Sequence, residues 1–181
     1  MKKFELTAES KINIFGKKLF RIKALISFGD VEEGETGGWI EKEENLEQSS
    51  GNAWVYGDAR VYGDARVYGN AWVSGNARVY GDAGVSGNAE VYGNAEVSGN
   101  AEVYGNADYT TIHGFGTQFR TTTFFQCEDK QIRVSCGCFL GTIPEFREQV
   151  KNTREGKIAE EYLMIADLME KHFVKEKESG E

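Results

Sequence analysis

Apolar and polar positions between residues 51 and 110 recur with a period of six. Each unit reads Gly-(Asn/Asp)-Ala-x-Val-(Tyr/Ser), and ten such units follow one another, with Tyr109 in place of the last Val. In a strand, residues two apart share a face, so Ala and Val point inward and the residue between them points outward. The Gly-Asn and Gly-Asp pairs predict a corner, because both residue types tolerate positive φ. A single unit cannot bury its apolar face alone, so the pattern predicts stacked units in a solenoid.

This repeat resembles the hexapeptide-repeat proteins that fold as a single-stranded, left-handed parallel β-helix. The resemblance implies three units per coil and left-handed winding, which departs from the usual right-handed crossover. Ten units would then make about three and a third coils of strands. We therefore expect a mainly β fold, with a β cap before the helix and a small α+β cap after it.

Residues 1–50 are predicted to form the N-terminal β cap and an imperfect first coil. Residues 11–15 and 18–22 alternate around Gly16 and Lys17, which indicates a hairpin. Ile40 and Leu46 lie six apart and are expected to begin the coils. The stretch from Asp30 to Trp39, which reads D-V-E-E-G-E-T-G-G-W, resembles the region before the coils in YdcK-like bacterial hexapeptide proteins. That resemblance extends over about residues 4 to 110.

Residues 111–181 are predicted to form a hairpin followed by two helices. The hairpin strands are residues 121–127 and 131–136. Thr142 is expected to cap the first helix, since Pro144 and Glu145 follow it at the spacing of a capping box. An apolar stripe predicts the second helix over residues 158–172. The Cys-Gly-Cys-Phe run and the segment after it resemble a C-terminal module of phage and prophage proteins.

Three units per coil would stack the outward positions in columns. The expected columns are Trp54, Trp72 and Glu90; then Arg60, Arg78 and Glu96; then Arg66, Gly84 and Glu102. Arginine and exposed aromatic side chains are enriched at binding hot spots, so we predict that the two tryptophans are exposed and that these residues, except Gly84, bind a partner. A solvated charged surface that keeps the solenoid soluble is the alternative interpretation.

The composition restricts the class of partner. The formal net charge is −8, which argues against direct binding of a nucleic-acid backbone. The chain shows no apolar run of membrane-spanning length and no signal peptide, so we expect a cytoplasmic protein that does not enter a membrane. Three cysteines do not make a disulfide framework. A protein partner is expected, and self-association remains open.

Catalytic groups are scarce in the sequence. Many hexapeptide proteins are acyltransferases that use a His general base, and the resemblance would assign that role to His113. A continued repeat would instead point His113 inward, in the Ala column. Hexapeptide-type carbonic anhydrases hold a metal with three His, whereas this chain has two. Cys127 and Cys136 could lie close together on the hairpin, so with Cys138 they are weak zinc candidates beside the simpler interpretation of core packing. No cofactor is expected.

Three functions remain open from the sequence. The first is a non-catalytic protein-interaction module, in its sharper form a phage-encoded acidic inhibitor that imitates nucleic acid toward a host nucleic-acid-binding or defence enzyme. The second is a CoA-dependent acyltransferase. The third is a structural or assembly protein whose coils stack or trimerise.

Overall fold

The computed structural model describes residues 2–173, in which a β-solenoid lies between a β-hairpin and a small α+β unit. The N-terminal strands are β1 (Phe4–Ile12), β2 (Lys18–Ala24) and β3 (Thr36–Ile40). The solenoid strands are β4 (Trp54–Val55), β5 (Arg60–Val61), β6 (Arg66–Val67), β7 (Trp72–Val73), β8 (Arg78–Val79), β9 (Gly84–Val85), β10 (Glu90–Val91), β11 (Glu96–Val97) and β12 (Glu102–Val103). The C-terminal elements are β13 (Tyr109–Phe115), β14 (Arg120–Gln126), β15 (Ile132–Cys136), β16 (Phe139–Thr142), α1 (Ile143–Thr153) and α2 (Gly156–His172).

The solenoid strands form three parallel ladders, one on each face of the solenoid. Trp54 lies opposite Trp72, and Trp72 lies opposite Glu90, so each coil returns to the same face after three repeats. We name the faces after their strands: β4–β7–β10, β5–β8–β11 and β6–β9–β12. The Val side chains of β4 to β12 and the Ala side chains just before each of these strands point inward, are buried and form one continuous core. The expected columns of outward residues are therefore present.

The N-terminal segment extends the β5–β8–β11 face. Strands β1 and β2 form the predicted antiparallel hairpin, and β3 pairs antiparallel with β2 and parallel with β5. Ile40 lies opposite Val61 and Leu46 bridges to Val67, which makes the imperfect first coil that the sequence predicts. Gly38 must lack a side chain here, because a Cβ would lie 2.5 Å from Val55 Cγ1.

Side chains of the flanking segments cover the backbone groups at both ends of the solenoid. Between coils, backbone hydrogen bonds such as Arg60 N–H to the Ala77 carbonyl satisfy these groups, but the first and last coils lack a neighbouring coil on one side. At the first end, the side chains of Lys3, Arg21 and Asn45 donate to the carbonyls of Ala53, Gly57, Gly63 and Ala65. At the last end, the N–H groups of Glu90, Glu96 and Tyr104 donate to side-chain oxygens of Asn106, Thr123 and Asp108.

The C-terminal unit is larger than the predicted hairpin. Strands β13 to β16 form a four-stranded antiparallel sheet, and β13 begins inside the tenth repeat after a 3-10 turn at Asn106–Asp108. One face of the sheet closes the solenoid core with Phe125 and Cys127, while Phe124 on the other face packs against the helices.

The first of these helices begins at the predicted cap. The Glu145 N–H donates to Thr142 Oγ1, and Pro144 lies in the first turn. The charged end of the chain, residues 174–181, lies outside the described residues. Across residues 2–173, neither helix has the length and apolar character needed to cross a membrane.

Candidate functional site

The tryptophan column is less exposed than the sequence suggests. The expectation that Trp54 is exposed is wrong: its side chain is 0% exposed, because Phe4 of β1 and Phe28 pack edge-on against the indole ring. Trp72 is half-buried and packs against Tyr56, with ring centroids 5.3 Å apart. Glu90, the third member of this column, is exposed. Trp54 therefore anchors the N-terminal segment to the first coil, and binding by Trp72 and Glu90 stays a prediction.

The arginine and glutamate columns are partly neutralised within the chain. On the β5–β8–β11 face, Arg78 forms an ion pair with Glu96 directly below it in the ladder, while Arg60 is half-buried above them. On the β6–β9–β12 face, Arg66 is exposed and Glu102 lies 3.8 Å from Lys130. The expected progression from Arg to Glu is present in the ladders, and one Arg–Glu pair of the columns, Arg78 with Glu96, forms an ion pair among residues 2–173.

Carboxylates concentrate along the β6–β9–β12 face. Two concavities of 590 and 250 Å³ follow one another there and share Arg66 and Tyr68 in their linings. We name the carboxylates that line them the acidic face: Glu43, Glu44, Glu47, Asp64, Asp82, Glu102 and Glu128. Gly84 leaves a gap in the outward column, so the exposed rings of Tyr68 and Tyr104 border an open surface.

Lysines pair with three members of the acidic face. Lys42 Nζ lies 2.7 Å from Asp64 Oδ1, Lys2 Nζ lies 2.6 Å from Glu43, and Lys130 reaches Glu102. The hydrogen bond from Lys42 holds the pKa of Asp64 below its ordinary value. Among residues 2–173 the other four, Glu44, Glu47, Asp82 and Glu128, have no ion-pair partner.

A second concave surface lies where the two covers of the solenoid overhang the β5–β8–β11 face. The tip of the β1–β2 hairpin forms one wall, Arg78, Tyr80 and Glu96 form the floor, and the C-terminal sheet forms the other wall, around a volume of 840 Å³. It adjoins a cavity of 420 Å³ between that sheet and the helices, and Arg120 lines both. We name the two together the arginine trough.

The rim of the arginine trough is apolar and its free charges are positive. Four large side chains on the rim are exposed: Ile14 (81%), Phe15 (62%), Phe119 (66%) and Leu140 (49%). The trough is lined by three arginines, Arg78, Arg120 and Arg154, and by one carboxylate, Glu96, which Arg78 already neutralises.

Sequence reasoning missed the arginine trough, although one signal was present. Ile14 and Phe15 stand beside the turn residue Gly16, where a solvent-exposed turn normally carries polar side chains. Phe119 is a similar apolar residue in a turn. Exposed apolar side chains that gather into one patch are typical of interaction surfaces, whereas single ones are normal.

The structure does not assemble the candidate catalytic and metal groups. His113 does not occupy the inward position that a continued repeat would give it, because β13 leaves the coil path. Its side chain is exposed, with Nδ1 3.3 Å from Thr121 Oγ1. Cys127 and Cys136 are also not neighbours, because Cys127 pairs with Gln131 at one end of the β14–β15 ladder and Cys136 lies opposite Thr122 at the other. Burial raises the pKa of Cys127 to about 11, and Cys138 is exposed. Within residues 2–173 no group of three or more His, Cys, Asp and Glu could hold a metal ion.

The ladders, the repeat period and the continuous Ala–Val core agree with a comparison against protein families. The model of the YdcK beta solenoid repeat family matches residues 59–75 and 73–87, which span β5 to β9. The chain is a repeat β-helix protein. A comparison with curated proteins gave no match. The matched repeats lie in the middle coils, so the acidic face is covered in part and both walls of the arginine trough lie outside the matched residues.

Proposed function

We propose that this chain is a non-catalytic protein-interaction module that binds a basic protein surface through its acidic face. The observation that carries the proposal is the row of seven carboxylates along the β6–β9–β12 face, four of which have no ion pair within residues 2–173. Like charges held on a rigid scaffold attract a basic partner and raise its association rate. The exposed rings of Tyr68 and Tyr104 add aromatic surface, over which a cation of the partner would be attracted.

The finer form of the proposal names the partner as the nucleic-acid-binding surface of a host enzyme. A rigid acidic face offers such an enzyme the charge that it normally recognises in a phosphate backbone. In this form the chain is a phage or prophage inhibitor, consistent with the resemblance of its C-terminal segment, and its coils are left-handed hexapeptide coils like those of the family that its repeat resembles.

The side-chain covers at both ends oppose the assembly alternative. At one end, the Lys3 and Asn45 side chains donate to carbonyl groups that a stacked coil would need. At the other end, the Thr123 hydroxyl accepts from an N–H group that a stacked coil would need. For the acyltransferase alternative, the candidate base His113 lies in the arginine trough. Heat released on titration with acetyl-CoA would support that alternative, and the absence of heat would refute it.

The proposal is tested by capture from bacterial lysate with two charge-matched variants. Glu44→Gln, Asp82→Asn and Glu128→Gln together neutralise three unpaired positions of the acidic face, and Asn is the residue that most other corners carry. The control, Glu9→Gln, Glu148→Gln and Glu160→Gln, removes the same charge from exposed positions elsewhere.

We expect the wild type and the control to capture the same basic protein, and the acidic-face variant to lose it. Capture should weaken as salt rises from about 0.05 to about 0.5 M, because exposed charges are screened. Equal capture by both variants would refute the acidic face as the binding surface. Recovery of partners that include no nuclease, polymerase or other nucleic-acid enzyme would refute the inhibitor form alone.

A further inference from the structure

The arginine trough combines an apolar rim with a positive charge. Its rim carries large exposed side chains from separate elements: Phe15 from the hairpin, Phe119 from the β13–β14 turn and Leu140 from β16. None of these belongs to the three buried apolar clusters of residues 2–173. Exposed apolar side chains that converge from separate elements around one concavity are typical of an interaction surface. The converging rim residues therefore mark the trough as a candidate binding surface.

The charges that line the arginine trough indicate which kind of segment it could bind. Arg78 is neutralised by Glu96, whereas Arg120 and Arg154 have no carboxylate within ion-pair distance among residues 2–173. The Arg120 side chain lies against Gly137, where a Cβ would be 2.5 Å from its guanidinium. Among residues 2–173, the Arg154 guanidinium donates to the neighbouring Thr153 carbonyl and to no other group. The trough therefore carries a positive charge on a chain whose net charge is −8.

The inner cavity of the arginine trough offers room for an apolar side chain of the bound segment. The inner cavity of 420 Å³ is lined by Phe139, Phe146, Val150 and Tyr162, with Arg120 and Arg154 among its lining residues. Arginine forms paired hydrogen bonds with carboxylates, so these two side chains favour carboxylates that flank an apolar side chain.

We propose that the arginine trough binds a segment of a partner protein that combines apolar side chains with carboxylates. An apolar side chain of that segment enters the inner cavity, its neighbours cover Phe15 and Leu140, and its carboxylates pair with Arg120 and Arg154. The inference rests on the proposed interaction role but uses a different surface and the opposite charge. The chain would then bind through two surfaces: the acidic face would bind a basic protein surface, and the arginine trough would bind a segment with carboxylates.

The test uses a random peptide display library on the purified full chain, with affinities of the selected peptides then measured by fluorescence anisotropy. Two variants probe the trough: Arg120→Gln with Arg154→Gln, and Phe15→Ser with Leu140→Ser. Each has a matched control. Lys23→Gln with Lys151→Gln removes the same charge elsewhere, and Met164→Ser with Leu168→Ser replaces apolar side chains that are equally exposed on α2.

We expect enriched peptides to carry Asp or Glu beside Leu, Phe or Ile, and both trough variants to weaken their binding by about ten-fold or more. The arginine variant loses charge-assisted hydrogen bonds, and the Phe15 and Leu140 variant loses buried apolar contact. Both controls should bind within about two-fold of the wild type. The inference is overturned if no peptide is enriched, if the enriched peptides are basic, or if the controls weaken binding as much as the trough variants. The acidic-face variant should bind the selected peptides normally, so failure here leaves the basic-partner proposal standing.

Discussion

The corner glycines allow one test in which backbone strain and coil stacking are separated. Gly75 and Gly93 occupy the same corner in successive coils, and each has a φ of +68°. A Cβ on Gly75 would lie 3.0 Å from both the N and the O of Gly93, whereas a Cβ on Gly93 would meet nothing within 4 Å. Gly93→Ala therefore introduces only the left-handed backbone cost, and Gly75→Ala adds a collision between two coils.

The magnitudes follow from these distances. A left-handed conformation costs a residue with a Cβ about 1–2 kcal/mol, and overpacking at a rigid backbone contact costs about 1–3 kcal/mol more. If the coils separate to relieve the contact, the hydrogen bond from the Asn76 N–H to the Gly93 carbonyl lengthens from 2.8 Å and its contribution falls. We expect Gly93→Ala to lower the free energy of unfolding by about 1–2 kcal/mol and Gly75→Ala to lower it by about 2–5 kcal/mol.

Equilibrium urea unfolding followed by far-UV circular dichroism measures both changes. In thermal unfolding, each kcal/mol corresponds to about 2–4 °C for a chain of this size. The reasoning would be refuted if the two variants were destabilised equally, because the contact with the next coil would then contribute nothing. A larger loss for Gly93→Ala would also contradict it, since that position has open space.

Two further predictions concern titratable groups. Burial lowers the pKa of Lys3 from 10.5 to about 8, so between these pH values the unfolded chain holds a proton that the folded chain lacks. The free energy of unfolding of the wild type should therefore rise with pH over this range relative to Lys3→Met, and a constant difference between the two would contradict the prediction. For the cysteines, a disulfide-exchange reagent at about pH 8 should modify exposed Cys138 first and Cys127 only on unfolding. Cys138→Ser should remove the fast reaction, and rapid modification of Cys127 in the folded chain would contradict its burial.

The period of the sequence predicts the solenoid well because every inward position obeys a local rule. Ala and Val alternate with one outward residue, so the inward core and the columns follow from strand geometry once three units make a coil. The burial of Trp54 could not follow from that rule. It depends on Phe4 and Phe28, which belong to the N-terminal segment and reach the first coil only through tertiary packing. The exposed position of His113 could not be predicted from the repeat either, since the repeat ends in a 3-10 turn that the local sequence pattern does not predict.

The candidate site was predicted only in part, because it combines elements that are distant in the sequence. The acidic face includes Glu102, which the repeat identifies, but also Glu44 and Glu128, which come from the two flanking segments. The arginine trough depends still more on the flanks: Phe15 lies in the first segment and Arg120 in the last. Both concave surfaces therefore form where the flanking segments meet the repeats, which the repeat pattern alone does not predict.

The end coils of the solenoid leave backbone N–H and C=O groups without a neighbouring coil, which explains why the flanking segments pack there. At the first end, the Lys3 side chain donates to a coil carbonyl and the Glu41 side chain accepts from a coil N–H group. At the last end, the Tyr109 hydroxyl donates to a coil carbonyl and the Thr123 hydroxyl accepts from a coil N–H group. Each cover therefore supplies both donors and acceptors. Both covers also overhang the β5–β8–β11 face, and each coil between them adds about 4.8 Å of height. The number of coils therefore sets the distance between the walls of the arginine trough, and under our proposal it would also limit the size of the bound segment.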